Sequence, residues 1–289
     1  MTLFCTFEII FFSMLFSLIK RTFRAIAFES SKDNSDLDVP KNNLEYLNFR
    51  SDLPALSIII PSYEMNGQGD VHIRRSLESL SKQTWKNFEV VVSDHSKSDL
   101  ILDVVKEYED KLDINYQRNE EYRGSSCMNA NNGIEHSKHD YIKFLFQDDF
   151  LAHPNSLEHG MKFLIWSKCN WIATACNHRD DKSNKIFWNH YPKIVEGELF
   201  NALNSLGCPS VMYFKKTAVR FDQRLPALMD IDYYEQVKQI FGDPGLLYDV
   251  NVTIGIHEAQ VTNNGGFGDK VQVKKELQIV FEKYNLPQE

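Results

Sequence analysis

The chain has 289 residues, of which 43% are hydrophobic and 25% are charged, and its formal net charge is −8. This length can bury one large hydrophobic core with some extensions. The negative charge disfavours nucleic acid as a partner, because phosphate backbones are bound by cationic surfaces. The five cysteines form no CxxC pair and have no histidines at zinc-ligand spacing, so we expect a reducing compartment and no structural zinc.

The N-terminal segment is the outlier in composition. Residues 3–19 are largely apolar, but the run contains Glu8 and is followed by Lys20, Arg21 and Arg24. It is short for a membrane span of about 20 residues, and its acidic residue is costly at mid-bilayer. The pattern leaves open a marginal anchor, an interfacial helix or a helix packed on the protein. We expect a cytoplasmic protein with possible peripheral membrane contact through residues 3–24.

Short apolar runs alternate with amphipathic segments from Ala55 onward. The predicted strands are ALSIII (55–60), FEVVV (88–92), INYQ (114–117) and YIKFLF (141–146). The predicted helices between them lie near residues 73–80, 102–108 and 129–136. Strands separated by helices indicate an α/β fold with a mostly parallel sheet, right-handed crossovers and helices on both faces.

The second half of the chain is less regular. The pattern predicts strands at 171–176 and 210–214, a helix at 228–242 and a C-terminal amphipathic helix at 271–284. For the last helix we favour packing over a partner surface. The predicted division is an N-terminal helix (1–28), a polar linker (29–54), a first half (55–150), a second half (151–264) and the C-terminal helix (265–289).

Polar residues follow three of the predicted strands where each strand ends. They are PSYE (61–64), SDHS (93–96) and QDD (147–149). Because ligands of such sheets bind at the carboxyl ends of the strands, we expect one shared site at this edge. The adjacent Asp148 and Asp149 suit Mg²⁺ or Mn²⁺, which is commonly held by one or two carboxylates together with substrate phosphates. The sequence therefore predicts a compound of a nucleoside diphosphate as the ligand.

Five blocks, in order, resemble the family 2 glycosyltransferases. These blocks are SIIIPSYEMNG (57–67), RRSLESLSKQTWKNFEVVVSDHS (74–96), SCMNANNGIEHSKHDYIKFLFQDDFLAHP (126–154), LMDIDYYEQV (228–237) and IHEAQVT (256–262). The resemblance implies a GT-A fold, a nucleotide-sugar donor, most simply a UDP-sugar, and inversion at the anomeric carbon. It also implies a glycan or lipid-linked acceptor and a bound Mn²⁺ or Mg²⁺. On this basis residues 55–150 would form the nucleotide-sugar-binding half and residues 151–264 the acceptor and catalytic half.

The resemblance also implies roles for single residues. Asp148 would ligate the metal, His257 would approach the metal or the diphosphate, and Asp230 would be the catalytic base. Asp94 would contact the base of the nucleotide, and Asp149 would lie near the sugar. The donor-side residues as a group are Pro61, Ser62, Tyr63, Glu64, Asp94, Asn129, Asn131 and Asp149.

The sequence departs from the family pattern at three places. Phe146 stands where the family keeps the first acid of its DxD motif, Met229 replaces the acid before the catalytic aspartate, and the neutral run MNAN (128–131) replaces an arginine. These departures motivate an alternative function, a non-catalytic module that binds nucleotide sugars or glycans. A nucleotidyltransferase ranks lower, because no glycine-rich, lysine-bearing phosphate loop follows the first strand.

Several residues that could act in catalysis or in acceptor binding also have an ordinary structural explanation. Asp230 and Asp232 lie in a first helical turn, where acids interact favourably with the helix dipole. We favour catalysis for Asp230 and helix stabilisation for Asp232. Tyr233, Tyr234 and Trp188 could form an aromatic platform for an acceptor sugar, but we expect them to pack in the core.

Overall fold

The computed structural model describes residues 44–258, 260 and 270–285. The predicted N-terminal helix and its membrane contact lie outside these residues. Within them, no helix combines the length and the apolar character that a membrane crossing requires.

The described residues contain nine strands and six α-helices. The strands are β1 Leu56–Ser62, β2 Phe88–Asp94, β3 Ile114–Arg118, β4 Tyr141–Phe144, β5 Phe150–Leu151, β6 Trp171–Asp180, β7 Ile186–His190, β8 Met212–Lys215 and β9 Gly245–Ile256. The helices are α1 Gly69–Ser81, α2 Leu100–Lys106, α3 Ser126–His136, α4 Ser156–Trp166, α5 Met229–Phe241 and α6 Lys270–Lys283.

The strands form one sheet in the order β3-β2-β1-β4-β8-β6-β9-β5, and β7 pairs with β6. In the first half, β1 pairs in parallel with β2 and β4, and β2 pairs in parallel with β3. This confirms the predicted α/β arrangement. Strands β1 and β2 are buried along nearly their whole length, as expected of parallel strands covered on both faces.

Pairing in the second half is mixed. Strand β8 runs antiparallel to both β4 and β6, while β9 runs parallel to β6. Two reversals restore the original direction, so β6 and β9 point the same way as β1 and β4. The carboxyl ends of these four strands therefore lie at one edge of the sheet.

Four elements of the second half were not predicted from the sequence, namely β5, α4, β7 and β9. Strand β9 carries a period-two signal, since Val250, Val252 and Ile254 alternate with polar residues. Helix α4 buries Leu157, Met161 and Leu164 at helical spacing. Strand β5 has two residues, a length at which hydrophobic periodicity gives no signal.

The folded unit begins before the predicted boundary at Ala55. Residues Leu44–Asn48 form a 3₁₀ helix within the segment expected to be a linker. Its Tyr46 is buried and packs edge-on against Phe163 and His159 of α4. A single aromatic residue in a polar stretch thus attaches this segment to the core.

A cluster of His153, His159 and Asp249 joins α4 to β9. Asp249 Oδ2 lies 2.6 Å from His159 Nδ1 and 3.6 Å from His153 Nε2. Three such groups could in principle hold a metal ion. However, His153 Nδ1 accepts the N–H of Asn155 at 3.3 Å, which leaves the ring proton on Nε2, facing the carboxylate. We therefore interpret the cluster as structural, with a hydrogen bond between His159 Nδ1 and Asp249 Oδ2 and with His153 beside them.

Asp249→Asn is expected to lower the free energy of unfolding at pH 7 by about 1.5–3 kcal/mol, the range for hydrogen bonds to charged groups. Burial alone would raise the pKa of Asp249, but the two imidazoles outweigh it and hold that pKa below its usual range. The stabilisation is therefore present above the unfolded pKa of about 3.9 and is lost as the pH falls toward the folded value. Urea unfolding at pH 7 and pH 3 measures it, with exposed Asp110→Asn as control. Equal losses of unfolding free energy in Asp249→Asn and Asp110→Asn at pH 7 would contradict this prediction.

Candidate active site

The candidate site lies at the sheet edge where β1, β2, β4 and β9 end. Ser62 and Asp94 are register partners at the ends of β1 and β2. Asp148 follows β4 after a short turn, and His257 is the first residue after β9. Residues separated by up to 195 positions in the chain thus come to one edge because the strands share a direction.

Asp148 and His257 form the pair expected of a cation site. His257 Nε2 lies 3.0 Å from Asp148 Oδ2, and both side chains are largely buried. This is a hydrogen-bond distance, and adjacent ligands of a Mg²⁺ or Mn²⁺ ion have a similar separation of roughly 3 Å. A carboxylate oxygen and an imidazole nitrogen are also suitable donors. The remaining positions would be open to water and a diphosphate.

Two residues of α1 support this pair. The ring of His72 is 3% exposed and lies against the ring of His257, with 4.3 Å between the ring centroids. Burial, followed by the nearby His257, lowers the pKa of His72, so this ring is neutral at pH 7. Arg75 donates a hydrogen bond to the backbone carbonyl of Asp148 and pairs with Asp181 at 2.7 Å. The bond from Arg75 fixes the turn that carries Asp148, and the ring of His72 supports His257.

Asp149 points into the protein, although the resemblance implied a position near the sugar. It is 3% exposed, and its Oδ1 accepts the N–H of Gly255 at 3.2 Å. Burial, and then the charge of Asp148, hold the pKa of Asp149 well above its usual range. Buried Lys143 lies nearby and donates to the carbonyl of Ser210. Asp149 therefore anchors the turn from behind, and Asp148 is the acid that faces the site.

Gln147 shapes the loop after β1. Its Oε1 accepts the N–H of Tyr63 at 2.6 Å, and its Nε2 donates to the carbonyls of Tyr63 and Gly69 at 3.0 and 3.2 Å. The neighbouring Phe146 is half-buried against the core, and its N–H donates to Ser210 Oγ at 2.9 Å. The ring that replaces the first acid of the family motif thus adds to the packing of this turn.

The loop after β1 presents Tyr63 and Glu64 at the surface. Tyr63 is 37% exposed. Glu64 Oε1 accepts the N–H groups of Lys97 and Ser98, which joins the loops after β1 and β2. Burial alone would raise the pKa of Glu64, but these hydrogen bonds lower it below the usual value. The loop after β1 is therefore held by Gln147 on one side and by the loop after β2 on the other.

Ser62 and Asp94 lie at the same edge but are completely buried. Asp94 accepts hydrogen bonds from Tyr116 Oη at 2.6 Å and from the N–H of Ser96 at 2.8 Å, and Arg118 Nε lies 3.7 Å from it. The resemblance implied that Asp94 contacts the base of the nucleotide, whereas the structure buries its carboxylate and gives it partners within the protein. Pro61, which precedes Ser62, is partly exposed.

The two predicted donor-side asparagines bind backbone and side chains of the protein. Asn129 accepts from Ser93 Oγ at 2.7 Å and donates to the carbonyl of Ser62 at 3.0 Å, so it joins α3 to β1 and β2. Asn131 donates to the carbonyl of Phe221 at 2.9 Å and accepts its N–H at 2.8 Å. Asn131 thus holds the segment that leads to α5.

Asp230 lies in the first turn of α5, close to the other acids. Burial raises the pKa of its carboxyl group to about 7. The thiol of Cys208 lies 3.9 Å from Asp149 Oδ2, and burial and then nearby negative groups, among them Asp149 and Asp230, raise the pKa of that thiol. Asp149 and Asp230 therefore both lie within electrostatic range of the same thiol. A carboxyl group with a pKa near 7 suits general base catalysis at neutral pH.

The structural explanation applies to three neighbours of Asp230. Asp232 is completely buried and pairs with Lys283 at 2.8 Å. Tyr233 and Tyr234 pack in the core against Phe214, as expected. Trp188, by contrast, is 38% exposed and stacks on His178 with 4.4 Å between the ring centroids, so the expectation of core packing does not hold for it.

Sequence reasoning assigned no role to His72, Lys143, Ser210 or Cys208. Each acts through a neighbour in space that is distant in the chain, and none belongs to a recognisable spacing motif. Gln147 was part of the QDD stretch, where its place in front of two acids was the available signal.

Four of the five cysteines are described, and all four are free thiols. Cys127 is buried, which raises the pKa of its thiol to about 12 and fits a packing role.

Comparisons with known proteins point to one family. The profile of "Glycosyl transferase family 2" matches residues 57–222, which is more than half of the chain. Among curated relatives, an uncharacterized glycosyltransferase of Rickettsia typhi is 30% identical over 227 residues, which cover 73% of this chain and 66% of the relative. The chain thus spans just under two thirds of that protein.

Solved structures show the same fold. S. aureus TarS 1–349 in complex with UDP-GlcNAc matches with a TM-score of 0.60 at 16% identity, covering 81% of this chain and 68% of that chain. The mannosyltransferase PcManGT from Pyrobaculum calidifontis, in complex with GDP-Man and Mn²⁺, matches with a TM-score of 0.57 at 14% identity, covering 96% and 76%. With the family match, the GT-A fold and the grouping of acids at the sheet edge, the chain belongs to glycosyl transferase family 2.

Proposed function

We propose that the protein is an inverting, metal-dependent glycosyltransferase that moves a sugar from a nucleoside diphosphate donor to a hydroxyl group of a glycan or lipid-linked acceptor. The observations that carry the proposal are a carboxylate–imidazole pair at the sheet edge and a buried carboxyl group in the first turn of α5. Asp148 and His257 offer a cation site, and Asp230 offers a base whose pKa is about 7. The reaction needs both functions.

In this reaction the acceptor oxygen attacks the anomeric carbon while the bond from that carbon to the diphosphate oxygen breaks. The carboxylate of Asp230 takes the proton of the acceptor hydroxyl as the new bond forms. Attack from the side opposite the leaving group inverts the anomeric centre in one step, without a covalent enzyme intermediate. A cation bound by Asp148 and His257 would supply charge stabilisation to the departing diphosphate.

A UDP-sugar is our proposed donor, with Mn²⁺ or Mg²⁺. TarS 1–349 is described in complexes with UDP and with UDP-GlcNAc, and PcManGT in a complex with GDP-Man and Mn²⁺. Here Tyr63 and Glu64 stand on a loop fixed by Gln147, at the place where the nucleotide would enter. An exposed aromatic ring on a fixed loop suits stacking on a base.

A lipid-linked glycan is one proposed acceptor. A Campylobacter jejuni relative named GalNAc(5)-diNAcBac-PP-undecaprenol beta-1,3-glucosyltransferase is 31% identical over 100 residues, covering 34% of this chain and 31% of the relative. On this chain, Trp188 of β7 is an exposed ring on the acceptor half, and such rings stack on sugar faces. Work at the cytoplasmic face of a membrane would suit this acceptor and is part of the proposal.

A thermal-shift screen of UDP, GDP and ADP, each with and without 1–5 mM Mn²⁺, tests the proposal, since a ligand that binds the native state raises its apparent stability. We expect UDP with Mn²⁺ to give the largest rise in Tm and expect Mn²⁺ alone to give a smaller one. A release assay for UDP, run with an acceptor panel, follows. No shift with any nucleotide and no release at any metal concentration would overturn the proposal.

The alternative is a non-catalytic module that binds nucleotide sugars or glycans on the same fold. The observation that favours it is Phe146, which packs into the turn where the family keeps an acid. Calorimetry separates the two functions. Tight binding of a UDP-sugar without UDP release across a broad acceptor panel would support the module, whereas release that depends on an acceptor would exclude it.

A further inference from the structure

The C-terminal helix α6 carries a glutamate that caps another helix. Glu276 is 0% exposed. Its Oε2 accepts the N–H groups of Ala227 and Leu228 at 2.9 and 2.8 Å, and its Oε1 accepts a bond from Gln272 Nε2 at 2.7 Å. Leu228 is the N-cap residue of α5, and Asp230 follows two positions later.

Helix α5 lacks a cap of its own. The leucine at its N-cap has no side-chain acceptor, and the terminus makes no side-chain cap bond. Unpaired N–H groups at a buried helix start are costly, and a carboxylate at that position also interacts favourably with the helix dipole. Glu276 supplies this carboxylate from a helix that lies about 50 residues later in the chain.

A second contact between the two helices lies on the other side of Asp230. Lys283 Nζ is 2.8 Å from both carboxylate oxygens of Asp232, and Tyr284 Oη donates to Oδ1 at 2.9 Å. Glu276 and Lys283 are seven positions apart, which is about two helical turns, so they lie on one face of α6. Their contacts at residues 227–228 and at Asp232 bracket Asp230.

We propose that α6 is a positioning element for the catalytic base, with Glu276 and Lys283 as positioning residues. The inference rests on the proposed role of Asp230. By fixing the backbone before Asp230 and the side chain two residues after it, α6 sets where the Asp230 carboxylate stands relative to the acceptor hydroxyl. The donor side does not depend on α6, because Gln147 and Glu64 hold the loop after β1 through contacts with residues outside α6.

The test compares Glu276→Ala, Glu276→Gln and Lys283→Met with the wild-type protein. We measure kcat and the acceptor KM by UDP release, and the Kd for UDP with Mn²⁺ by calorimetry. A displacement of a reacting group by about 1 Å costs roughly 100-fold in rate, so Glu276→Ala should lose 10-fold to 100-fold in kcat. Its Kd for UDP should stay within twofold of wild type. Glu276→Gln keeps one acceptor oxygen, so its kcat should lie between those of the wild-type protein and Glu276→Ala.

Glu282→Ala is the matched control, since Glu282 is exposed on the same helix. It should leave kcat and Tm unchanged. The proposal is overturned if Glu276→Ala folds and turns over like wild type, or if kcat and UDP affinity fall together in every variant. If Glu276→Ala fails to fold, Glu276→Gln and Lys283→Met decide by the same criterion. Absence of transfer by the wild-type protein instead contradicts the proposed function.

Discussion

Asp230→Asn is expected to lower kcat for sugar transfer by about 100-fold to 10,000-fold, the usual contribution of a positioned general base. The amide cannot accept the proton of the acceptor hydroxyl at any pH. Since burial raises the pKa of Asp230 to about 7, wild-type kcat should rise with pH up to that value and then level off. The variant should lose this dependence. Steady-state rates between pH 5 and 9 measure both effects.

The same substitution should stabilise the fold at high pH. A carboxyl group whose pKa is raised on folding destabilises the native state once it ionises, so wild-type stability should fall as the pH rises from about 4 to about 7. Above that range, Asp230→Asn should be more stable than wild type by on the order of 1–3 kcal/mol. Urea unfolding at pH 5 and pH 8 measures the difference.

Asp243→Asn is the control for Asp230→Asn, because it alters an exposed aspartate just beyond the end of the same helix. It should leave the rate, its pH profile and the unfolding free energy near the wild-type values. UDP binding should survive in Asp230→Asn. Transfer by Asp230→Asn within threefold of wild type would exclude this residue as the base.

Asp148→Asn is expected to remove the dependence of nucleotide binding on Mn²⁺. The variant keeps the size of the side chain but loses the charge that, with His257, would hold the cation. We expect the affinity for UDP with Mn²⁺ to fall by at least about 10-fold to 100-fold, as seen when support of a metal ligand is lost, and transfer to fall with it. Calorimetry with and without Mn²⁺ measures the coupling between metal and nucleotide.

The control for Asp148→Asn is Asp113→Asn, which removes an exposed carboxylate that pairs with Lys138. It should bind UDP and Mn²⁺ as the wild type does. His257→Ala should resemble Asp148→Asn, because the two side chains form one pair at 3.0 Å. If Mn²⁺ strengthens UDP binding to Asp148→Asn as much as to wild type, the cation lies elsewhere.

Much of the first half could be predicted from the sequence because its signals are local. A parallel strand covered on both faces must be apolar along its length, and ALSIII and FEVVV are such runs. Polar residues directly after these strands predicted a site at this edge, and the adjacent acids after β4 led to the prediction of a cation there. The second half gave weaker signals, since β5 has only two residues and polar and apolar residues alternate over only residues 249–254 of β9.

The orientation of each acid required the tertiary structure. Asp148 and Asp149 are neighbours in the chain, yet one faces His257 and the other is buried beneath the turn, where Gly255 donates to it. Likewise, Asp230 and Asp232 share one helical turn, but only Asp232 lies within reach of Lys283. The spacing of each pair of acids in the sequence does not show which acid faces the site. Contacts with residues from distant segments of the chain decide it.

The sequence by itself determined the strands of the parallel half and their parallel pairing, the edge at which polar residues collect and the types of chemical group available there. Only the tertiary structure decided which of these groups meet. The pairing of His257 with Asp148 follows from two reversals of strand direction, which no local pattern encodes. The capping of α5 by Glu276 depends on the docking of a separate helix. Local propensities act over a few residues, whereas these contacts form only when the whole chain has folded.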